Sequence, residues 1–227
     1  MRMKEAYKMV NNSQKLACRL RLYLICGEGL TPEETLRKAA LALDGGVTAV
    51  QLRVKSWTAR ECLRTAEALR KICHAHGALF FVNDRLDIAL AARADGVHLG
   101  QSDLPLPAAR RIAGDSLIIG ASARTRELAA EAQNSGADYI GCGAAFGTAT
   151  KKDASVIGPE GIKRALSSAL IPAVAIGGIN AGNIALLEGC GACGAAVSAA
   201  LLNAADPEAE ARKLIKEADR IFSKAFI

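Results

Sequence analysis

Eight short apolar runs, each followed by a segment with helical spacing, constrain this chain more than any other feature. The runs fall near residues 22–26, 48–53, 79–83, 95–99, 117–121, 138–142, 172–177 and 193–198. Between them, Thr31-Pro32-Glu33-Glu34 reads as a cap, a first-turn proline and an acidic first turn, and Leu36, Ala39, Ala40 and Leu43 then share one helical face. Thr58 to Ala75 follows the same logic, helices are expected over 85–93, 104–113, 124–135, 159–168 and 180–189, and Asp206-Pro207-Glu208 opens a last one through Ser223. The joints repeat as well: Gly45-Gly46-Val47, Ala94-Asp95-Gly96, Gly136-Ala137-Asp138 and Gly191-Ala192-Cys193 each end a helix and launch a strand. Strands that read as continuous Ala, Val, Ile and Leu runs suit a parallel sheet covered by helices. Only 4% of residues are aromatic, so an aliphatic core is expected. The pattern predicts an α/β fold, a single-domain (β/α)8 TIM barrel at the short end of the known range, with a doubly wound open sheet as the alternative.

Charge separates the chain into two parts. Residues 1–21 carry six Lys or Arg against one Glu, leaving 23 basic and 22 acidic side chains in the other 206 residues. We therefore divide the chain into a basic N-terminal extension, residues 1–20, and a barrel catalytic domain, residues 21–227, and expect deletion of residues 1–18 to leave activity unchanged. A basic tail on a nearly neutral, aromatic-poor domain argues against a nucleic-acid partner. No run of eighteen apolar residues and no secretory leader stands out, so no membrane partner is expected. Seven cysteines, an odd number set in apolar or helical patterns, suit reduced thiols and a cytoplasmic location. Cys190 and Cys193 form a C-x-x-C without a second pair at ligand spacing, which argues against a zinc or redox site.

Barrel enzymes carry their chemistry at the carboxyl ends of the strands. Polar or glycine-rich residues cluster there. Gln51, Arg53 and Lys55 alternate with apolar neighbours, so at strand geometry their side chains leave one face together and suit a diphosphate; an edge strand with a solvated face is the plain alternative. Asn83-Asp84 and Asp103 end neighbouring strands and can bring two carboxylates to one hard cation in the manner usual for Mg2+, or cap the helices that follow. The long loop from Phe146 to Asp153 offers Thr148, Thr150 and Lys151 to an anion. Gly177-Gly178 and Ser198-Ala199, after strands seven and eight, suit a phosphate bound by backbone amides. His98 sits near the mouth, but with no evident nucleophile partner a catalytic triad is not expected.

Five ordered stretches resemble the thiamine phosphate synthase family from about Leu22 to Leu201. They are residues 46–55, Val82-Asn83-Asp84-Arg85-Leu86-Asp87-Ile88-Ala89-Leu90, residues 96–105, residues 147–153 and Ile176-Gly177-Gly178-Ile179. The resemblance implies a barrel that condenses an aminopyrimidine diphosphate with a thiazole phosphate, releasing pyrophosphate and forming thiamine monophosphate with Mg2+ as cofactor. Carried over, the diphosphate substrate would meet Gln51, Leu52, Arg53, Val54, Lys55, Asn83, Ser122 and Lys151. Within that set Ser122 faces the pyrimidine, and Arg53, Lys151 and Ser122 act in catalysis. Asp84 and Asp103 would hold the metal. Thr148, Ala149, Thr150, Gly177, Gly178, Ser198 and Ala199 would hold the thiazole phosphate. The chain departs from the family pattern at Cys26-Gly27, usually Thr-Asp, at Cys193, usually Asp, and at Ala199, usually Ser. A thiazole tautomerase of the same fold and a non-catalytic phosphate-sensing barrel are the alternatives, and assembly into a homo-oligomer is left open.

Overall fold

The computed structural model describes residues 12–147 and 155–223. Eight parallel strands, β1 (Leu22–Gly27), β2 (Ala49–Arg53), β3 (Leu79–Asn83), β4 (Gly96–Leu99), β5 (Ile118–Ser122), β6 (Tyr139–Gly143), β7 (Ala173–Ile176) and β8 (Gly194–Val197), pair in sequence order. They close on themselves through β8 and β1, with Leu22 opposite Ala195, which excludes the open sheet. Around them lie α1 (residues 12–19), α2 (Pro32–Asp44), α3 (Ala59–Ala75), α4 (Leu86–Ala91), α5 (Leu106–Ala113), α6 (Arg126–Asn134), α7 (Gly158–Leu166), α8 (Ala199–Leu202) and α9 (Pro207–Phe222). Thr31 and Thr58 close reciprocal capping boxes with Glu34 and Glu61, and Asp206 accepts from the Ala209 amide, so three helix starts form where the sequence predicts them.

The helix expected over 180–189 is only a 3-10 turn at Ile184–Leu187. Asparagine side chains take over the local hydrogen bonds: Asn183 Oδ1 accepts from the Asn180 amide and Asn180 Oδ1 from the Gly182 amide, while Asn183 Nδ2 donates to the Gly178 carbonyl. No described helix is long and apolar enough to cross a membrane.

Two cores follow from the period-two alternation of the strands. Outward residues such as Leu24, Val50, Leu52 and Ile140 pack under the helices and form the expected aliphatic layer. The inward layer differs from expectation, because Tyr23, Phe81 and Tyr139 fill the barrel floor with ring centroids 5.3–6.2 Å apart. Space for these rings comes from glycines on neighbouring strands. A Cβ at Gly96 would strike the Phe81 ring and one at Gly120 the Tyr139 ring. From below, α1 buries Ala17 and the residue that follows the helix, Leu20, against the same cluster. The stretch set apart by its charge therefore supplies, from residue 12 onward, part of the barrel's packing.

Candidate active site

Above the floor the barrel opens into a cavity of about 970 Å3, roomy for two small substrates. One side is lined by polar side chains at successive strand ends: Arg53 of β2, Asn83 of β3, His98 of β4 and Ser122 of β5. The opposite side is glycine-rich, with Gly141, Gly143, Gly177, Gly178, Ser198 and Ala199 beside the apolar Val174, Ile176 and Ile179. Gly177 and Gly178 have φ of 107° and 61°, values that favour glycine. Their carbonyls are engaged by the Phe146 amide and Asn183 Nδ2.

Beside this cavity lies a groove of about 270 Å3 lined by Lys55, Asn83, Asp84 and Arg85. Asp84 takes φ of 62°, a conformation uncommon for a residue with a side chain, and its amide donates to the His98 carbonyl at 2.9 Å. Its carboxyl is hydrogen-bonded to Asp103, whose Oδ2 accepts from the Gly100 amide at 2.7 Å. Neither carboxylate caps a helix: α4 and α5 begin behind Arg85 and Pro105, and neither has a side-chain cap bond. Burial, then the hydrogen bond and negative charge of Asp103, push the Asp84 pKa up to about 6 against the lowering effect of Lys55 and Arg53. Two carboxylates drawn together so that ionising one is costly, and its proton affinity rises, fit a divalent cation. Among the described residues no third His, Cys, Asp or Glu joins them, so the remaining donors for Mg2+ would be water and substrate oxygens.

Sequence reasoning missed a buried hydrogen-bonded chain below the cavity. Gln51 Nε2 donates to Tyr23 Oη at 2.9 Å, Tyr23 and Tyr139 share a hydrogen bond at 3.0 Å, and Tyr139 Oη lies 3.0 Å from His98 Nδ1. His98 Nε2 is 3.0 Å from Ser122 Oγ, so the histidine does have a hydroxyl partner. Its other neighbour is a phenol where a triad would have a carboxylate. The available signal was the inward register: Tyr23, Gln51, His98, Ser122 and Tyr139 all stand at positions that face the barrel axis.

The expected residues divide by location. Gln51, Arg53, Asn83, Ser122, Gly177, Gly178, Ser198 and Ala199 line the cavity, although the Gln51 amide is already engaged by Tyr23. Lys55 and Asp84 lie at the neighbouring groove, so the β2 residues do not all converge on one space. β2 is paired on both sides, which removes the edge-strand alternative. Leu52 and Val54 pack with the outer apolar layer and border the groove. Thr148, Ala149, Thr150 and Lys151 lie outside the described residues. Cys190 and Cys193 are buried free thiols, the latter pushed up to about 12 by burial.

Residues 22–201 match the family model described as thiamine monophosphate synthase. The chain belongs to that family. Thiamine-phosphate synthase of Pyrococcus furiosus is 46% identical over 203 residues, covering 88% of this chain and 96% of that one. The Moorella thermoacetica thiamine-phosphate synthase is 49% identical over 181 residues, 79% of this chain and 86% of the relative. Among solved structures, a thiamine phosphate pyrophosphorylase from Pyrococcus furiosus superposes with a TM-score of 0.84 at 42% identity, covering 91% of this chain and 98% of its own. Membership in the thiamine monophosphate synthase family thus spans the entire barrel that frames the cavity.

Proposed function

We infer that this protein is a thiamine-phosphate synthase, a transferase of thiamine biosynthesis. It joins an aminopyrimidine diphosphate to a thiazole phosphate, with loss of pyrophosphate. The observation that carries the site assignment is the Asp84–Asp103 pair, set at the rim beside Arg53 and Asn83. Arg53, Lys55, Asn83 and Lys151 bind the diphosphate, and their positive charges and N–H donors stabilise the negative charge that grows on it as the carbon–oxygen bond breaks. Asp84 and Asp103 hold Mg2+, which when bound neutralises diphosphate oxygens. Ser122 contacts the pyrimidine, whose electron-rich ring spreads the positive charge left on its methylene carbon. The thiazole nitrogen then takes that carbon. Its phosphate rests against the glycine-rich side, on the amides of Gly177, Gly178, Ser198 and Ala199, with Thr148, Ala149 and Thr150 contributing from the β6–α7 loop. No strong base or nucleophilic side chain is required, in keeping with a mouth rich in anion donors. The buried free thiols suit a cytoplasmic enzyme.

The test is turnover with both substrates and Mg2+. Thiamine monophosphate and pyrophosphate are expected in equal amounts, and chelation should abolish both. Absence of pyrophosphate release, with tautomerisation of the thiazole substrate instead, would overturn the assignment.

A further inference from the structure

We propose that Gln51, Tyr23, Tyr139 and His98 form a polarised relay that fixes Ser122 as a hydrogen-bond donor toward the cavity, so that the site selects a ligand presenting a ring-nitrogen acceptor there. The ligand's identity rests on the function proposed above, whereas the relay's polarity can be read without any ligand.

The polarity follows from counting protons. An amide nitrogen has only donors to offer, so Gln51 Nε2 makes Tyr23 Oη an acceptor at 2.9 Å. The Tyr23 proton must then point to its other neighbour, Tyr139 Oη, 3.0 Å away. Tyr139, having accepted, directs its own proton to His98 Nδ1 at 3.0 Å. A neutral imidazole that accepts at Nδ1 carries its proton on Nε2, and this proton faces Ser122 Oγ at 3.0 Å. Ser122 therefore accepts from below, and its own O–H remains to be donated into the cavity that it lines. The order of the chain is enforced by its surroundings. Tyr23 and Tyr139 are sealed from solvent, and burial pushes both phenols well above their usual range, which keeps each one a neutral donor and acceptor. A hydroxyl exposed to water reorients freely; Ser122 is tied to a line of four groups whose two central members, the phenols of Tyr23 and Tyr139, have no solvent to rotate toward.

The polarity would reverse if Gln51 offered its carbonyl oxygen to Tyr23. Every proton in the line would then turn round, His98 would carry its proton on Nδ1, and Ser122 would show the cavity a lone pair. Gln51, Tyr23, Tyr139 and His98 are thus positioning residues, and Ser122 is the group that touches substrate.

The chain has three histidines, so 15N-histidine labelling of the full-length protein gives a spectrum that His74→Gln and His76→Gln variants assign. For His98 we expect one neutral tautomer, protonated at Nε2, and in Tyr139→Phe, which keeps the ring but removes the donor to Nδ1, a mixture of tautomers. A protonated Nδ1 in the wild type, alone or as imidazolium, would overturn the relay. The second readout is binding of the aminopyrimidine diphosphate against its two pyridine analogues, each with one ring nitrogen replaced by C–H. One analogue should bind about tenfold more weakly, the worth of one neutral hydrogen bond. Ser122→Ala should erase that preference and Tyr139→Phe reduce it, with inorganic pyrophosphate affinity unchanged in both. A preference that survives in Ser122→Ala would overturn the donor role. Failure to bind the aminopyrimidine diphosphate at all would instead remove the proposed function, and the tautomer would still decide the relay.

Discussion

At the barrel floor Tyr23, Phe81 and Tyr139 are sealed from solvent, packed ring on ring, and closed from below by Leu20. Two residues further along the same strands stand Ile25, Asn83 and Gly141, all lining an open cavity. A step of about 7 Å along a strand thus separates a region built for stability from one built for chemistry. The contrast teaches how the two are combined in one interior. The rings fit below because Gly96 and Gly120 on neighbouring strands leave room for them, and the dry floor they create can hold a line of neutral hydrogen bonds in one order. The mouth, by contrast, gathers charges that repel one another until a ligand arrives.

The comparison breaks most readily at the acid pair. Asp84→Asn and Asp103→Asn are each expected to lower turnover by about 10²–10³-fold, the usual effect of removing one preorganised electrostatic group. Melting temperature should not fall far, because neither carboxylate caps a helix, and in metal-free protein above about pH 6 Asp84→Asn should raise it. A large loss of stability with near-normal turnover in limiting Mg2+ would make the mouth a second structural region.

Leu20→Ala is the mirror-image test. Deleting a fully buried leucine side chain should cost about 2–5 kcal/mol in chemical denaturation, with turnover per folded molecule preserved. By the same argument, deletion of residues 1–18, expected from charge placement alone to be silent, should lower the melting temperature. It removes Ala17 from the cluster and Leu16, which packs beside it. Loss of activity without loss of stability in Leu20→Ala would show that the floor acts on chemistry directly.

The barrel and much of its mouth were legible because they depend on local signals. Capping boxes at Thr31 and Thr58, glycines at the helix-to-strand joints and polar residues at strand ends all operate within a few positions of one another. The floor was not legible. Tyr23 and Tyr139 meet across 116 positions, and nothing local to either announces the other. The role of residues 16–20 was hidden by their basic neighbours, since a charge count does not reveal which face of a short helix is apolar. Asp84 was read from its type and place, but that it caps no helix became visible only with α4 itself, which begins behind Arg85 without a side-chain cap bond. At 180–189 the apolar spacing was misleading, because two asparagines compete for the backbone that a helix would use.

A smaller effect concerns pH. The folded state raises the Asp84 pKa from 3.8 to about 6, so it holds that proton more tightly than the unfolded chain does. The stability this gives is complete below about pH 4 and is lost as pH rises through about 6. Metal-free protein should therefore lose melting temperature across that window. Mg2+ should restore it at pH 8, where Asp84 is charged, and do little at pH 5. Asp84→Asn should flatten both dependences. A Mg2+ shift that persists in Asp84→Asn would place the cation elsewhere.

The smallest effect is expected on the glycine-rich side of the mouth, where Ser198 stands at the start of α8. Its side chain makes no capping hydrogen bond, and the residue after it is alanine. If the thiazole phosphate is held there by backbone N–H groups, Ser198→Ala removes at most one neutral hydrogen bond, about 1 kcal/mol, and the substrate's KM should rise less than tenfold. Gly178→Val should do more harm, and for a reason beyond the phosphate. Gly178 has positive φ, and a Cβ there would collide with the Gly147 carbonyl oxygen and the Phe146 backbone, so the start of the β6–α7 loop would have to shift. Measured side by side, the two variants separate side-chain from backbone recognition. Should Ser198→Ala prove the more damaging, this half of the mouth would bind through side chains like the other, and the contrast between its two walls would vanish.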